Sequence, residues 1–201
     1  LTGVKYSHTQ GTGVGSCPSG SATNGTYTGR TLITGEEDKA EGAGHVGVEV
    51  TNHLIRLTGS QSGSGDVLAT TAGVVKCSSI TYSGKVAATP VSEASLAPSF
   101  SGCTGFGFPA TIDVNGCSYL LKVASESTGT VEIVCPEGKE LTVTAISAGV
   151  TKCTLHVPGG QSLGTATFHN LGSGSTAEIE VTANLTGVKY SHTQGTGVGS
   201  C

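Results

Sequence analysis

The chain contains no methionine and no tryptophan, and its aromatic residues are five Tyr and four Phe among 201 positions. Charge is scarce as well: Asp, Glu, Lys and Arg make up 12% of the sequence, about half the usual quarter of a globular protein. Each shortage excludes something. Coiled coils and helical bundles need Glu, Lys, Arg and Leu in quantity, so neither is expected. The net charge is −4 and no basic cluster exists, so no nucleic-acid partner is expected. No apolar run is long enough to form a helical membrane span. Cys-x-x-Cys, His-x-His and His-Glu-x-x-His patterns are missing, and neither a metal nor any other cofactor is expected. Glycine, by contrast, is plentiful: 32 residues, roughly double the usual share, without the three-residue period of collagen.

The two ends of the chain are identical. Residues 1–17 and 185–201 both read LTGVKYSHTQGTGVGSC, from Leu1 and Leu185 to Cys17 and Cys201. The chain is thus one period of 184 residues (185 − 1) plus a 17-residue overlap. Repeats are read first because they decide the architecture. A window on a tandem array, a stretch of a periodic assembly and a circular permutant with a duplicated end all produce this pattern. The absence of an initiator Met favours the first two, which share a repeating polymer of β-domains. Only one copy of a strand can fill its own place in a domain, and a surplus copy has backbone groups to pair. A head-to-tail contact of that kind grows a filament. Leu1, Val4 and Tyr6, repeated as Leu185, Val188 and Tyr190, are the apolar positions of this expected polymer junction. A weaker repeat, Ala72–Cys77 against Ala148–Cys153 (AGVVKC and AGVTKC), suggests two related modules per period.

Seven cysteines reduce to six per period, because Cys17 copies Cys201. An even number without metal-like spacing reads as three disulfides, with fifteen possible connectivities. The sequential pairing is expected: Cys77–Cys103, Cys117–Cys135 and Cys153–Cys201. Cys17 then pairs with the equivalent of Cys153 in a preceding repeat, or with Cys153 itself if the fold closes within one chain. Disulfides place the protein outside the cytosol, extracellular or at the cell surface.

Hydrophobic alternation predicts an all-β chain of about a dozen short strands, in β-sandwich or barrel-like modules. Over Ala177–Leu185, Ile179, Val181, Ala183 and Leu185 point one way; at Gly187 the phase slips and Val188 and Tyr190 take over, which marks a bulge. Val131–Cys135, Leu141–Ala145 and Val46–Val50 also alternate, and Cys117–Val123, Ile80–Tyr82 and Thr31–Thr34 are shorter candidates. Clusters such as Ser60–Gly65 and Gly172–Ser175 read as the turns between strands, and Gly35–Gly44 as an exposed acidic loop. The implied division is 1–53 as the C-terminal part of a module (shared with a preceding repeat or completed by 137–184), 54–136 as a module, and 137–201 as the N-terminal part of the next.

Chemistry is sparse. The six His carry no ligand spacing and read as strand-surface residues. No nucleophile elbow is expected despite the abundant Ser, so a hydrolase would need a Ser–His–Asp site assembled by the fold alone. Glu36, Glu37, Asp38 and Glu41 could meet a hard cation but match no EF-hand. Asn24 and Asn184 head formal glycosylation sequons, and a Lys–Asn crosslink at Asn184 would need a buried acid. Phe106 and Phe108 are expected to fill the core.

The segments CTGFGFPATIDVNGCSYLLKV, VEIVCPEGKELTVTA, TKCTLHVP and VTANLTGVKYSHT, with NGTYTG, resemble uncharacterised secreted, cysteine-containing β-rich proteins of actinobacteria. The resemblance implies an exported domain beginning near Asn52, followed by the duplicated segment and then the equivalent of Pro18–Thr51. It implies no activity. The expectation is therefore a non-enzymatic, self-associating subunit of an extracellular filament or surface fibre. A secreted binding module for a glycan or surface partner is the alternative, and a hydrolase comes third.

Overall fold

The computed structural model describes residues 20–38, 54–63, 65–87, 92–172 and 178–195. They form β1 (Gly20–Asp38), β2 (Leu54–Gln61), β3 (Val67–Thr70), β4 (Gly73–Ala87), β5 (Glu93–Gly105), β6 (Phe108–Asp113), β7 (Ser118–Val123), β8 (Thr128–Val134), β9 (Glu140–Ser147), β10 (Val150–Pro158), β11 (Gln161–Leu171) and β12 (Glu178–Gln194). All are linked in a single antiparallel sheet, and no helix occurs among the described residues.

Four of the links do not reverse the chain. β2 and β3 both run antiparallel to β1, at Thr31–Asp38 and Thr26–Thr28, so the chain passes from one to the other while keeping its direction. β6 and β7 follow β5 in the same manner, and β10 and β11 follow β12. β8 pairs with β7 and β9 with β6, which makes them another collinear couple. The twelve strands therefore form eight lanes: β1, β2–β3, β4, β5, β6–β7, β8–β9, β10–β11 and β12. Each lane pairs with the next in sequence, and β12 pairs back onto β1, from Gly20↔His192 to Thr34↔Glu178. The sheet closes on itself as an up-and-down barrel, which removes the exposed edges of an open sheet.

Period-two alternation decides which face is inside. In β12, Val181, Ala183 and Leu185 are buried, and after Gly187 the buried set becomes Val188, Tyr190 and His192. Gly187 has φ 77°, and the β1–β12 register shifts beside it, so the phase slip in the sequence is a bulge. Ile179 does not follow its neighbours inward: it is exposed, near the start of β12. The interior mixes Leu, Ile and Val with small Ala145, Ala166 and Ala183, which lets larger side chains interdigitate in a narrow barrel. Phe106 is buried and Phe108 packs against the core.

One end of the barrel has tight hairpins, at Thr71-Ala72, Phe106-Gly107 and Ala148-Gly149. Phe106 and Ala148 lie at φ 57° and 51°, each followed by a glycine at positive φ, as a two-residue hairpin turn requires. β1 starts and β12 ends at this same end. The AGVVKC and AGVTKC segments are both hairpin-then-strand pieces here. A division into two modules is not shown.

Two sequence expectations need correction. Gly35–Asp38 is not loop: β1 continues through it, paired to Leu54–Leu57. The Ser60–Gly65 cluster does not reverse the chain: β2 runs through Gln61, and the remainder interrupts the lane before β3 takes it up in the same direction. The expected strand Val46–Val50 lies outside the described residues.

Candidate functional site

The lane interruptions leave backbone groups without a ladder partner, and polar side chains take over that role. Asp66 follows the break between β2 and β3. It is buried, and its Oδ1 accepts from the Arg30 backbone N–H at 3.1 Å. Its Oδ2 accepts from the Tyr27 hydroxyl at 2.7 Å and the Tyr82 hydroxyl at 3.0 Å. Gly29 is required beside it, because a Cβ there would overlap the Asp66 carboxyl and the Tyr27 hydroxyl. At the paired breaks of β6–β7 and β8–β9, Asn115 Nδ2 donates to the Glu140 carbonyl at 2.9 Å. At the break of β10–β11, buried Gln161 donates to the carbonyls of Pro158 and Lys189 (2.7 and 3.1 Å) and accepts from the Lys189 N–H at 2.8 Å.

Tyr27, Tyr82 and Tyr119 surround the Asp66 carboxyl, with the Tyr82 and Tyr119 rings 6.3 Å apart. Burial raises the Tyr27 phenol well above its ordinary range, and the nearby Tyr82, Tyr119 and Asp66 add to the rise. Tyr82 and Tyr119 are raised too, first by burial, then by Tyr119 and Asp66 for the former and by Asp66 for the latter. This polar layer borders two small apolar spaces, of about 40 and 50 Å³. Each has room for a water or two.

Cys77 and Cys103 face one another across β4 and β5 and are bridged. Cys117 and Cys135 join the β6–β7 break to the β8–β9 break. Cys153, fully buried in β10, is disulfide-bonded as well. Cys17 and Cys201 lie outside the described residues.

The expected junction residues divide between the two copies. Leu185, Val188 and Tyr190 are all in β12 and are 2–3% exposed; Leu1, Val4 and Tyr6 lie outside the described residues. The Tyr190 hydroxyl accepts from the Thr71 N–H at 2.8 Å, meets the Thr71 hydroxyl at 2.9 Å and donates to Asn24 Oδ1 at 3.0 Å. It thus ties the end of the barrel shut. On its β1 side the segment is laddered from Leu185↔Tyr27 to His192↔Gly20. On its other side, β11 pairs only as far as Ala183, and β10 begins at Ser191. Between these two rungs, the Gln161 amide supplies the hydrogen bonds to Lys189. A surface cleft of about 440 Å³ opens beside it, lined by Thr23, Glu140, Pro158 and Lys189 among others.

The histidines depart in part from the surface reading. His156 Nδ1 donates to Glu140 Oε1 at 2.6 Å on the barrel exterior, and His169 is exposed. His192 is buried and meets the Tyr190 ring edge-on, with centroids 5.9 Å apart. One motif escaped the sequence reading: Gly160–Gly164 is Gly-Gln-Ser-Leu-Gly, the spacing of a nucleophile elbow. It is no elbow, because Ser162 is an exposed strand residue paired with Glu132, and no helix follows. Asn184 and Lys189 are both exposed, so a crosslink between them lacks the buried acid it needs. Among the described residues, no three His, Cys, Asp or Glu gather as a metal site, and no helix is long and apolar enough to cross a membrane. No protein-family model matches the chain, and neither a curated protein nor a solved structure matches it.

Proposed function

We propose that the protein is a self-associating structural subunit of an extracellular filament or surface fibre, joined head-to-tail through the duplicated segment. One observation carries the reading: Leu185–Gln194 is a complete piece of the barrel wall, and the same ten residues precede β1 in the chain, whose first residue lies at the end of the barrel where β12 finishes. A chain with two copies of one wall strand has one to offer a neighbour. The bridges Cys77–Cys103 and Cys117–Cys135 suit an oxidising, extracellular setting, as does the resemblance to secreted actinobacterial proteins. The packed interior suits a durable scaffold more than a carrier. Negative-stain electron microscopy of the unmodified protein tests this, with regular filaments expected. Discrete single-chain particles at every concentration would refute it. A secreted binding module is the second reading, favoured by the cleft beside Lys189 and Glu140; saturable glycan binding lost on Lys189→Ala would support it.

A further inference from the structure

A closed barrel gives a surplus strand no edge to join, so a second copy can enter only by replacing the first. We infer that the groove filled by Leu185–Gln194, between β1 and β10, is an exchange site whose second occupant is Leu1–Gln10 of the same chain. The inference deepens the filament reading, since each exchange frees residues 185–201 to fill the same groove of a second copy of the chain. The exchange within one chain stands whether or not filaments form.

Three observations carry it. First, the copies agree residue for residue, so the buried contacts of Leu185, Val188 and Tyr190 are available unchanged to Leu1, Val4 and Tyr6. Second, the direction fits. The groove strand runs antiparallel to β1 with His192 opposite Gly20, and His192 is the copy of His8. A segment that enters as residues 1–10 must return through 11–19 to Gly20. Those residues reach about 3.3 Å each, against a strand spacing of about 4.8 Å, so the hairpin closes easily. Third, the copy begins where the wall is weakest. Leu185 stands two residues beyond Ala183, the final β11–β12 rung, and among the described residues no rung on that side holds β12 again until Ser191. Gly187 is at positive φ, and the β1 register shifts twice opposite it, between Ala22 and Gly25 and between Gly25 and Thr26. The duplicated half of β12 can part there without disturbing the β11–β12 ladder.

The test uses the full chain and two kinds of variant. Tyr190→Ala, Tyr6→Ala and the double variant are compared by thermal unfolding. With a spare copy, Tyr190→Ala loses less than half of the Tm that the double variant loses. An equal loss in both overturns the inference, as does a Tyr190→Ala chain that fails to fold. Separately, Ser21→Cys is combined with Ser191→Cys or with Ser7→Cys, because Ser21 and Ser191 form a rung. Peptide mapping after a mild thiol pulse, which opens the Cys153 bridge, and reoxidation is expected to show a 21–191 bridge in one variant and a 21–7 bridge in the other. A 21–191 bridge with no 21–7 bridge overturns the inference. A 21–7 bridge without filaments upholds the exchange and refutes only the filament.

Discussion

Asp66→Ala removes the acceptor on which three donors from two other lanes, β1 and β4, converge: the Tyr27 hydroxyl, the Arg30 N–H and the Tyr82 hydroxyl. Hydrogen bonds to a charged acceptor contribute about 1.5–3 kcal/mol each, which makes a gross loss of about 4–9 kcal/mol. Against that stands the cost of holding a carboxyl out of water, several kcal/mol, which the substitution recovers. The donors then decide the balance. Both hydroxyls can rotate toward the spaces of about 40 and 50 Å³, where a water can meet them. The Arg30 N–H is fixed by the strand and stays unpaired, at about 1–3 kcal/mol. The expected net destabilisation is about 3 kcal/mol, or about 6–12 °C in Tm for a chain of this size. Asp66→Asn keeps an oxygen for Arg30 and lets the hydroxyls turn to accept, so it costs about 1 kcal/mol. Guanidinium unfolding with the disulfides intact measures both. Asp66→Ala within about 0.5 kcal/mol of the parent chain would refute the reasoning, and so would Asp66→Asn costing as much as Asp66→Ala.

Two further outcomes follow from the same geometry. The phenols of Tyr27, Tyr82 and Tyr119 titrate higher in the fold than their ordinary 10.0, so the folded state keeps protons that the unfolded chain releases. Stability is therefore fully present below about pH 10 and falls as pH rises beyond it, by up to about 1.4 kcal/mol per pH unit for each phenol. Tyrosinate absorbance should then rise together with loss of the sheet signal in circular dichroism; full ionisation near pH 10 with the sheet intact would contradict the buried cluster. Gln161→Ala deletes three hydrogen bonds, two of which replace the missing ladder at Lys189, for about 2–3 kcal/mol. Hydrogen exchange should find the Lys189 amide deprotected, and unchanged protection there would show that the side chain is not its partner.

The fold class was legible because most strands, among them β8, β9, β10 and β12, alternate with period two. In β12 even the bulge showed, since Gly187 shifts the phase of the buried set by one residue. The eight-lane closure was not legible. Ser60–Gly65, Asn115-Gly116 and Gly159-Gly160 have turn composition but stand inside lanes that keep their direction, because Asp66, Asn115 and Gln161 supply the hydrogen bonds the backbone forgoes. Composition reports that the ladder is interrupted, not whether the chain reverses. The Asp66–tyrosine layer left no local signal either, since its tyrosines lie 16 (82 − 66) to 53 (119 − 66) residues from Asp66 in the chain and meet only when the barrel closes. The bridges Cys77–Cys103 and Cys117–Cys135 are the sequential ones, as local pairing on neighbouring lanes favours.

The cysteines give the exchange a covalent consequence. Cys153 stands in β10 opposite Gln194 and is disulfide-bonded, while the other four described cysteines are bonded to each other. The chain's two further cysteines are Cys17 and Cys201, the same residue in the two copies. Each lies seven positions after the Gln that ends its copy of the strand, Gln10 or Gln194. If the exchange inferred above takes place, either copy would bring a cysteine toward Cys153 with the same reach, and a bridge there would latch the strand in place. Exchange then requires that this bridge open, so its rate should rise under mild thiol, while Cys77–Cys103, with both cysteines buried, stays closed. In a chain expressed as residues 1–201, the two linked peptides differ in mass, because Cys17 runs on into Pro18 while residue 201 closes the expressed chain. Mapping before and after a thiol pulse should show the Cys153–Cys17 and Cys153–Cys201 peptides interconverting. A single partner for Cys153, unchanged through repeated pulses, would mean that the groove has one permanent occupant.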